Sequence, residues 1–294
     1  MKVLVTGANG QLGYDVLREL KKRGIYGIGA DIQDSSEIHV KMDITDKEEV
    51  LQTITALKPD VVVHCAAWTA VDDAEDEQNK NKVYSVNVTG TKNIAEACKA
   101  VDAKMVYLST DYVFDGSGDI PWKPDETRFA PLNYYGETKR EGEKAVSAAL
   151  QKFFIVRTAW VFGKNGKNFV KTMLRIGKIH EQVRVVCDQI GTPTYTPDLA
   201  VLLADMIQTE KYGYYHATNE GGFISWYAFT KEIYRQAGYK TKVIPVTTQE
   251  YGLSKAKRPF NSRLDKSKLV ETGFKPLPDW KNALERYLSE QGEE

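Results

Sequence analysis

The run Lys2-Val3-Leu4-Val5-Thr6-Gly7-Ala8-Asn9-Gly10-Gln11-Leu12-Gly13 decides the reading of the fold. Residues 2–6 are rich in apolar and β-branched side chains, the pattern of a buried strand. Glycines follow at 7, 10 and 13, and Leu12, Val16, Leu17 and Leu20 then recur at helical spacing. Glycines between a strand and a helix let the backbone come close to a pyrophosphate. The free N–H groups and positive dipole end of the helix attract that anion. The same glycines would also serve a tight turn with no ligand. Their position directly between strand and helix favours dinucleotide binding at Gly7, Gly10 and Gly13.

Outward from this run the alternation continues. Residues 25–30 read as a second strand, with Asp31 at its end, 18 residues after Gly13. An acid there reaches the hydroxyls of an adenosine ribose. The following Ile32-Gln33-Asp34-Ser35-Ser36 holds no Arg or Lys for a 2′-phosphate, so these residues favour NADH over NADPH. The plain alternative is a turn aspartate. Val50, Leu51, Ile54 and Leu57 mark a helix ended by Pro59. Strands at 60–64, 104–109 and 153–158 alternate with helices at 83–101 and 133–150. Such βαβ units predict a Rossmann-type, doubly wound parallel sheet, an α/β fold. From Gly163 aromatics and prolines increase, with helices expected at 168–179, 197–209, 225–236, 265–272 and 279–288. The division is therefore a dinucleotide-binding domain over 1–162 and a smaller α/β substrate domain over 163–294, some of whose segments return to the first.

The 294 residues carry 40 Lys+Arg against 40 Asp+Glu, and this zero balance argues against a nucleic-acid partner. The apolar run around Val61-Val62-Val63 and Cys65-Ala66-Ala67 is too short to span a bilayer. Three scattered cysteines, Cys65, Cys98 and Cys187, imply no disulfide framework. With no signal-peptide core ahead of the first strand, a cytoplasmic protein is expected.

Tyr135 and Lys139 stand four residues apart on the helix at 133–150, so they share a face. A lysine ammonium there stabilises a phenolate and lowers the tyrosine pKa from its ordinary value, and the phenol then donates a proton to an oxyanion formed by hydride addition. The spacing alone is common: Tyr227/Lys231 and Tyr251/Lys255 also show it. Only Tyr135/Lys139 lies in the βαβ half, downstream of a strand ending in Ser109-Thr110, where open α/β sheets bind ligands. Thr110 would add a hydroxyl donor, or else satisfy local backbone. Asn87 would anchor backbone or water nearby, or serve the helix alone.

Beyond these residues, Ala66-Ala67-Trp68-Thr69-Ala70-Val71-Asp72 together with the opening run resembles the extended short-chain dehydrogenase/reductase superfamily. Ser109-Thr110-Asp111-Tyr112-Val113-Phe114-Asp115-Gly116, Tyr134-Tyr135-Gly136-Glu137-Thr138-Lys139 and Arg157-Thr158-Ala159-Trp160 are similar to the dTDP-4-dehydrorhamnose reductase family. So are Asp188-Gln189-Ile190-Gly191-Thr192-Pro193-Thr194 and Arg258-Pro259-Phe260-Asn261-Ser262-Arg263-Leu264-Asp265. The resemblance implies that Tyr135 is the proton donor and that Lys139 is its partner and ribose anchor. It also implies sugar contacts from Thr110, Asp111 and Trp160. Cofactor contacts would come from Gly10, Gln11, Leu12, Asp31, Asp43, Ile44, Ala66, Ala67 and Trp68. The implied reaction reduces a 4-keto-6-deoxyhexose on dTDP. The family's usual cofactor, NADPH, stands against the NADH preference read from Asp31.

Two further readings share these motifs. A nucleotide-sugar epimerase or dehydratase has the same fold, but dehydration commonly uses an Asp-Glu pair after the threonine, and Tyr112 occupies the glutamate position. A non-catalytic regulatory subunit, like that of methionine adenosyltransferase, also has a reductase-like sequence. Elsewhere the residues are plainer. His39, His64, His180 and His216 form no ligand pattern, so no metal is expected; Asp15 falls where some family members bridge a dimer through a metal, and a homodimer is left open. Residues 72–77 read as a solvated acidic helix start, and Trp122, Trp226 and Trp280 as packing aromatics. Arg258, Asn261 and Arg263 would bind a diphosphate or, equally, close the domains by hydrogen bonds.

Overall fold

In the computed structural model, which describes residues 1–35 and 38–291, the opening run folds as its pattern predicts. Lys2–Thr6 forms β1 and Gln11–Lys22 forms α1. Tyr26–Asp31 (β2), Val40–Lys41 (β3), Lys47–Leu57 (α2) and Val61–His64 (β4) follow. Glu77–Tyr84 (α3) and Thr91–Ala100 (α4) are joined by a π-helical stretch, Ser85–Gly90. Next come Lys104–Thr110 (β5), Tyr134–Ala149 (α5) and Phe153–Thr158 (β6). The second half holds Val161–Phe162 (β7), Phe169–Ile179 (α6), Gln182–Val186 (β8), Ile190–Gly191 (β9) and Thr194–Tyr195 (β10). Thr196–Met206 (α7), Gly213–His216 (β11), Ile224–Ser225 (β12), Trp226–Gln236 (α8) and Lys242–Val246 (β13) continue it. Thr248–Tyr251 (α9), Ser267–Glu271 (α10) and Trp280–Gln291 (α11) complete the order.

Seven parallel strands form the main sheet in the order β11-β6-β5-β4-β1-β2-β3. Alternate residues of each strand feed opposite faces. Val3, Val5, Val61 and Val63 pack with Leu199, Leu203 and Met206 of α7 on one side. Leu4, Val62, Met105 and Ile155 pack with Val50, Ile54 and Ile94 on the other. Strand order reverses at β1, which pairs with β2 on one edge and β4 on the other. The crevice beyond the strand C-termini at such a reversal is where open α/β sheets hold ligands.

The later chain returns to this sheet, as β11 extends it beside β6 and α7 packs on α1. A separate apolar core gathers Phe162, Val170, Phe229, Ile233, Trp280 and Leu284 around the pairs β7–β10, β8–β13 and β9–β12. Two expectations shift. The helix read at 83–101 begins at Glu77 and carries a π turn in its middle, while the one read at 265–272 spans only Ser267–Glu271. Of the strands not anticipated, β3, β7, β9, β10 and β12 have only two residues, too short for a periodic signal, whereas β8, β11 and β13 have four or five and lie in the less regular second half. Among the described residues, no helix is long and apolar enough to cross a membrane.

Candidate active site

The glycine turn is a cradle closed to side chains. Gly7 holds φ +66°, and a Cβ there would come within 2.6 Å of Ala66 N; a Cβ at Gly13 would come within 2.2 Å of Gly7 O. Gly10 caps α1 with no side-chain hydrogen bond, and the first turn holds no acid. The helix therefore presents N–H groups to an anion, and these residues fit a dinucleotide pyrophosphate. Asp31 stands at the end of β2, where it accepts from Asn9 N at 3.1 Å and Gln33 N at 3.2 Å. Ser36, the last residue read for a 2′-phosphate partner, lies outside the described residues. Asp43 accepts from Thr45 N and Oγ1 at 2.9 and 2.8 Å, and Ile44 is buried where a Cβ on Gly90 would touch it.

A cavity of about 780 Å³ opens at the strand C-termini. Gly7, Gly10, Gln11, Leu12 and Gly13 line it together with Ala67, Thr110, Asp111, Tyr135, Lys139 and Trp160. Asp31, Asp43, Ile44, Ala66 and Trp68 do not line it. Trp68 is tied down by Asn87, whose Oδ1 accepts from Trp68 N at 2.8 Å and whose Nδ2 donates to Thr138 Oγ1 at 3.0 Å. Asn87 sits in the π turn, a feature that often re-aims a side chain at a functional site, and joins the 66–68 segment to α5.

Asn133 caps α5 by accepting from Gly136 N at 2.8 Å. A Cβ on Gly136 would come within 2.2 Å of Tyr112 O, so glycine lets this helix press against the turn after Thr110. That contact brings Tyr135 beside Thr110, whose hydroxyl donates to Asp111 Oδ1, with Tyr112 edge-on at 5.9 Å. Burial and the Asp111 carboxylate push the Tyr135 phenol above its ordinary value, against the pull of Thr110. This direction is opposite to the lowering expected from the Tyr135/Lys139 spacing, because desolvation of the phenolate, followed by the Asp111 charge, dominates. Tyr135 is thus a neutral phenol, the form a proton donor requires.

Lys139 is 3% exposed and lies 4.2 Å from the Tyr107 ring centroid. Burial brings its ammonium down to about 7, partly offset by Glu143 and Cys65. Burial and Lys139 hold His64 down at about 3, so the ring is neutral between Thr6 and Thr91. Burial lifts Asp111 to about 6 against the Ser262 and Thr110 hydroxyls, and its Oδ2 has no well-formed hydrogen bond.

A family model described as "RmlD substrate binding domain" matches residues 1–292. The dTDP-4-dehydrorhamnose reductase of Streptomyces griseus is 42% identical over 287 residues, covering 96% of this chain and 91% of its own. The chain belongs to the dTDP-4-dehydrorhamnose reductase family. The solved Clostridium acetobutylicum dTDP-4-dehydrorhamnose reductase superposes with a TM-score of 0.92 at 42% identity, covering 99% of this chain and 100% of that one. The Bacillus anthracis enzyme of the same name, solved in complex with NADP, gives 0.91 at 42% identity with the same coverage.

Two residues read as diphosphate ligands are otherwise engaged in this family member. Arg258 Nη2 and Nη1 donate to Asp72 at 2.7 and 3.1 Å. Asn261 is buried, donating to Ile120 O at 2.9 Å and accepting from Arg263 Nη1 at 3.0 Å. Neither lines the cavity, and the arrangement is the domain-closing network weighed above. Its partner is the acidic run, which is not a free solvated helix start. Asp72 also accepts from Ala256 N, Asp76 pairs with Lys255 at 2.9 Å, and Glu75 accepts from Tyr134 N. Lys255 is thereby spoken for, and neither Tyr227/Lys231 nor Tyr251/Lys255 lines the cavity. Asp15 is buried under Thr196, whose hydroxyl it accepts at 2.6 Å, and burial raises it to about 6.

Lys167, Phe169 and Phe229, which carry no site role in the sequence reading, line the cavity, and so does Trp226, read there as a packing aromatic. The loop bearing Lys167 reaches the phosphate turn through Asn168 Nδ2 donating to Gln11 Oε1 at 2.9 Å, a contact no local pattern announces. Glu143 and Arg157 were missed too. Each left a trace, since Glu143 lies one turn beyond Lys139 and Arg157 interrupts an apolar strand.

Proposed function

We propose that the chain reduces the C4 ketone of dTDP-4-dehydro-L-rhamnose to give dTDP-L-rhamnose, with NADPH or NADH as reductant. The observation that carries this is the meeting of Thr110, Tyr135 and Lys139 in the same cavity as the glycine cradle. Names of relatives about 40% identical over nearly the whole chain support the substrate. Gly7, Gly10, Gln11, Leu12 and Gly13 hold the cofactor's pyrophosphate, with Asp31 toward the adenosine ribose. Bound there, the reduced nicotinamide supplies the hydride. Tyr135 gives its phenolic proton to the C4 oxygen as charge develops on it. The Thr110 hydroxyl, turned to Asp111 at 3.0 Å, needs only rotation to donate to that same oxygen. Lys139 offsets the negative charge left on Tyr135 and anchors the nicotinamide ribose. Asp111 Oδ2 accepts a sugar hydroxyl. Tyr112, where dehydratases carry an acid, speaks against dehydration, and the cytoplasm is the compartment assigned.

The test is oxidation of NADPH and of NADH with dTDP-4-keto-6-deoxyhexose generated together with its epimerase. Oxidation of either with dTDP-rhamnose as product is the expected result. Absence of oxidation by protein that binds both cofactors would transfer the assignment to another keto sugar or to a regulatory role.

A further inference from the structure

Trp160 lies two residues beyond Thr158, the register partner of Thr110, so it borders the same sheet edge as the proton-donating set. Its backbone has φ +51°, a left-handed conformation that bulky L-residues seldom hold and that surrounding contacts must enforce. The backbone contacts are present. Thr194 N donates to Trp160 O at 3.1 Å and Thr194 Oγ1 donates to Ala159 O at 2.6 Å. Gly191 makes room for the indole, because a Cβ there would come within 2.9 Å of Trp160 Cε2.

The ring itself is fixed from a different part of the chain. β12 pairs antiparallel with β9, setting Ile224 opposite Gly191 and Ser225 opposite Ile190. Ser225 then caps α8 by accepting from Ala228 N at 3.1 Å, which makes Trp226 the first helical residue. That geometry lays the Trp226 indole on the Trp160 indole, with centroids 3.6 Å apart and planes 15° apart. Phe169 backs Trp226 at 4.4 Å. All three rings line the cavity.

We propose that Trp226 is a positioning residue for substrate, stacking on Trp160 so that the Trp160 indole stands as a fixed platform for the sugar ring. The inference rests on the function proposed above and assigns Trp226 a task beyond core packing. Its consequence is selective. The platform serves the hexose and not the nucleotide, so loss of the stack weakens binding of the sugar nucleotide while leaving dTDP alone and NADPH unaffected.

Calorimetric titration of the full-length protein with dTDP-rhamnose, dTDP and NADPH tests it on Trp226→Ala and Trp226→Phe. Trp226→Ala should weaken dTDP-rhamnose about tenfold, with dTDP and NADPH changed by less than about twofold, and Trp226→Phe should restore most of the loss. Far-UV circular dichroism of the wild type should show the exciton couplet of two stacked indoles, lost in Trp226→Ala and Trp226→Phe alike. Equal dTDP-rhamnose affinity in Trp226→Ala and wild type would overturn the inference, as would parallel losses for all three ligands, which mark a structural role. A wild type that binds NADPH but neither dTDP compound would overturn the proposed function and this inference with it.

Discussion

Arg157 and Glu143 form a doubly hydrogen-bonded ion pair at the heart of the sheet, with Nε to Oε1 at 2.7 Å and Nη2 to Oε2 at 2.9 Å. The side chains are 1% and 0% exposed. Ser109 Oγ donates to the same carboxylate at 2.6 Å and Arg140 Nη1 at 2.8 Å. The pair thus links β6, α5 and β5 one turn from Lys139 and one residue from Thr110. Removing one member strands the other's charge in the interior. Glu143→Gln is expected to lower the free energy of unfolding by about 3 kcal/mol, read by denaturant titration. An unchanged midpoint would show that the pair is stabilised no better than neutral hydrogen bonds.

Tyr135 is held as a neutral phenol beside Thr110. Tyr135→Phe keeps the ring and removes the proton. Turnover should drop by about a hundredfold or more while the NADPH dissociation constant stays within about twofold. Steady-state rates paired with cofactor fluorescence titration check this, and full turnover would remove Tyr135 from the chemistry.

The Lys139 ammonium, brought down to about 7 by burial, sets a pH dependence with a definite sign. The charged form stabilises the phenolate left on Tyr135 after proton transfer, so the rate should be flat at lower pH and decline as pH rises through about 7. Lys139→Met should be slow and should lack that alkaline limb. For stability the sign is opposite: the folded state holds the proton less tightly than the unfolded chain, so this residue makes folding more favourable as pH rises from about 7 toward the ordinary lysine value. Rate profiles of both proteins on one buffer series decide the first point.

Asp31 ends β2 with its carboxylate on two backbone N–H groups. In the proposed cofactor pose, a carboxylate facing the adenosine ribose would repel a 2′-phosphate, whereas a relative in this family was solved with NADP. Asp31→Asn should raise kcat/KM for NADPH relative to NADH by about tenfold, as removal of one like-charge contact allows. A ratio that does not move would mean that the two N–H groups already neutralise the acid.

Legibility differed by kind of residue. The strand, turn and helix of residues 2–22 were readable because each rests on neighbours a few positions away, through alternation, glycine geometry and helical spacing. The caps Asn133, Asn168 and Ser225 stood at the expected starts of their helices for the same reason. Arg258 and Asn261 carried chemistry that suits a phosphate as well as a carboxylate or carbonyl. Only the arrival of Asp72, 186 residues away in sequence, and of Ile120 decided between these.

The sequence by itself therefore determined the parallel α/β sheet, the dinucleotide turn and the Tyr135/Lys139 pair on one helix face. These follow from backbone sterics and short-range periodicity, which act within a few residues. Tertiary structure alone decided that Arg157 meets Glu143, that Trp226 lies on Trp160, and that Tyr135 is a raised rather than a lowered phenol. Those outcomes depend on burial and on partners brought together across the fold. Desolvation and packing are properties of the assembled interior, which no stretch of chain carries alone.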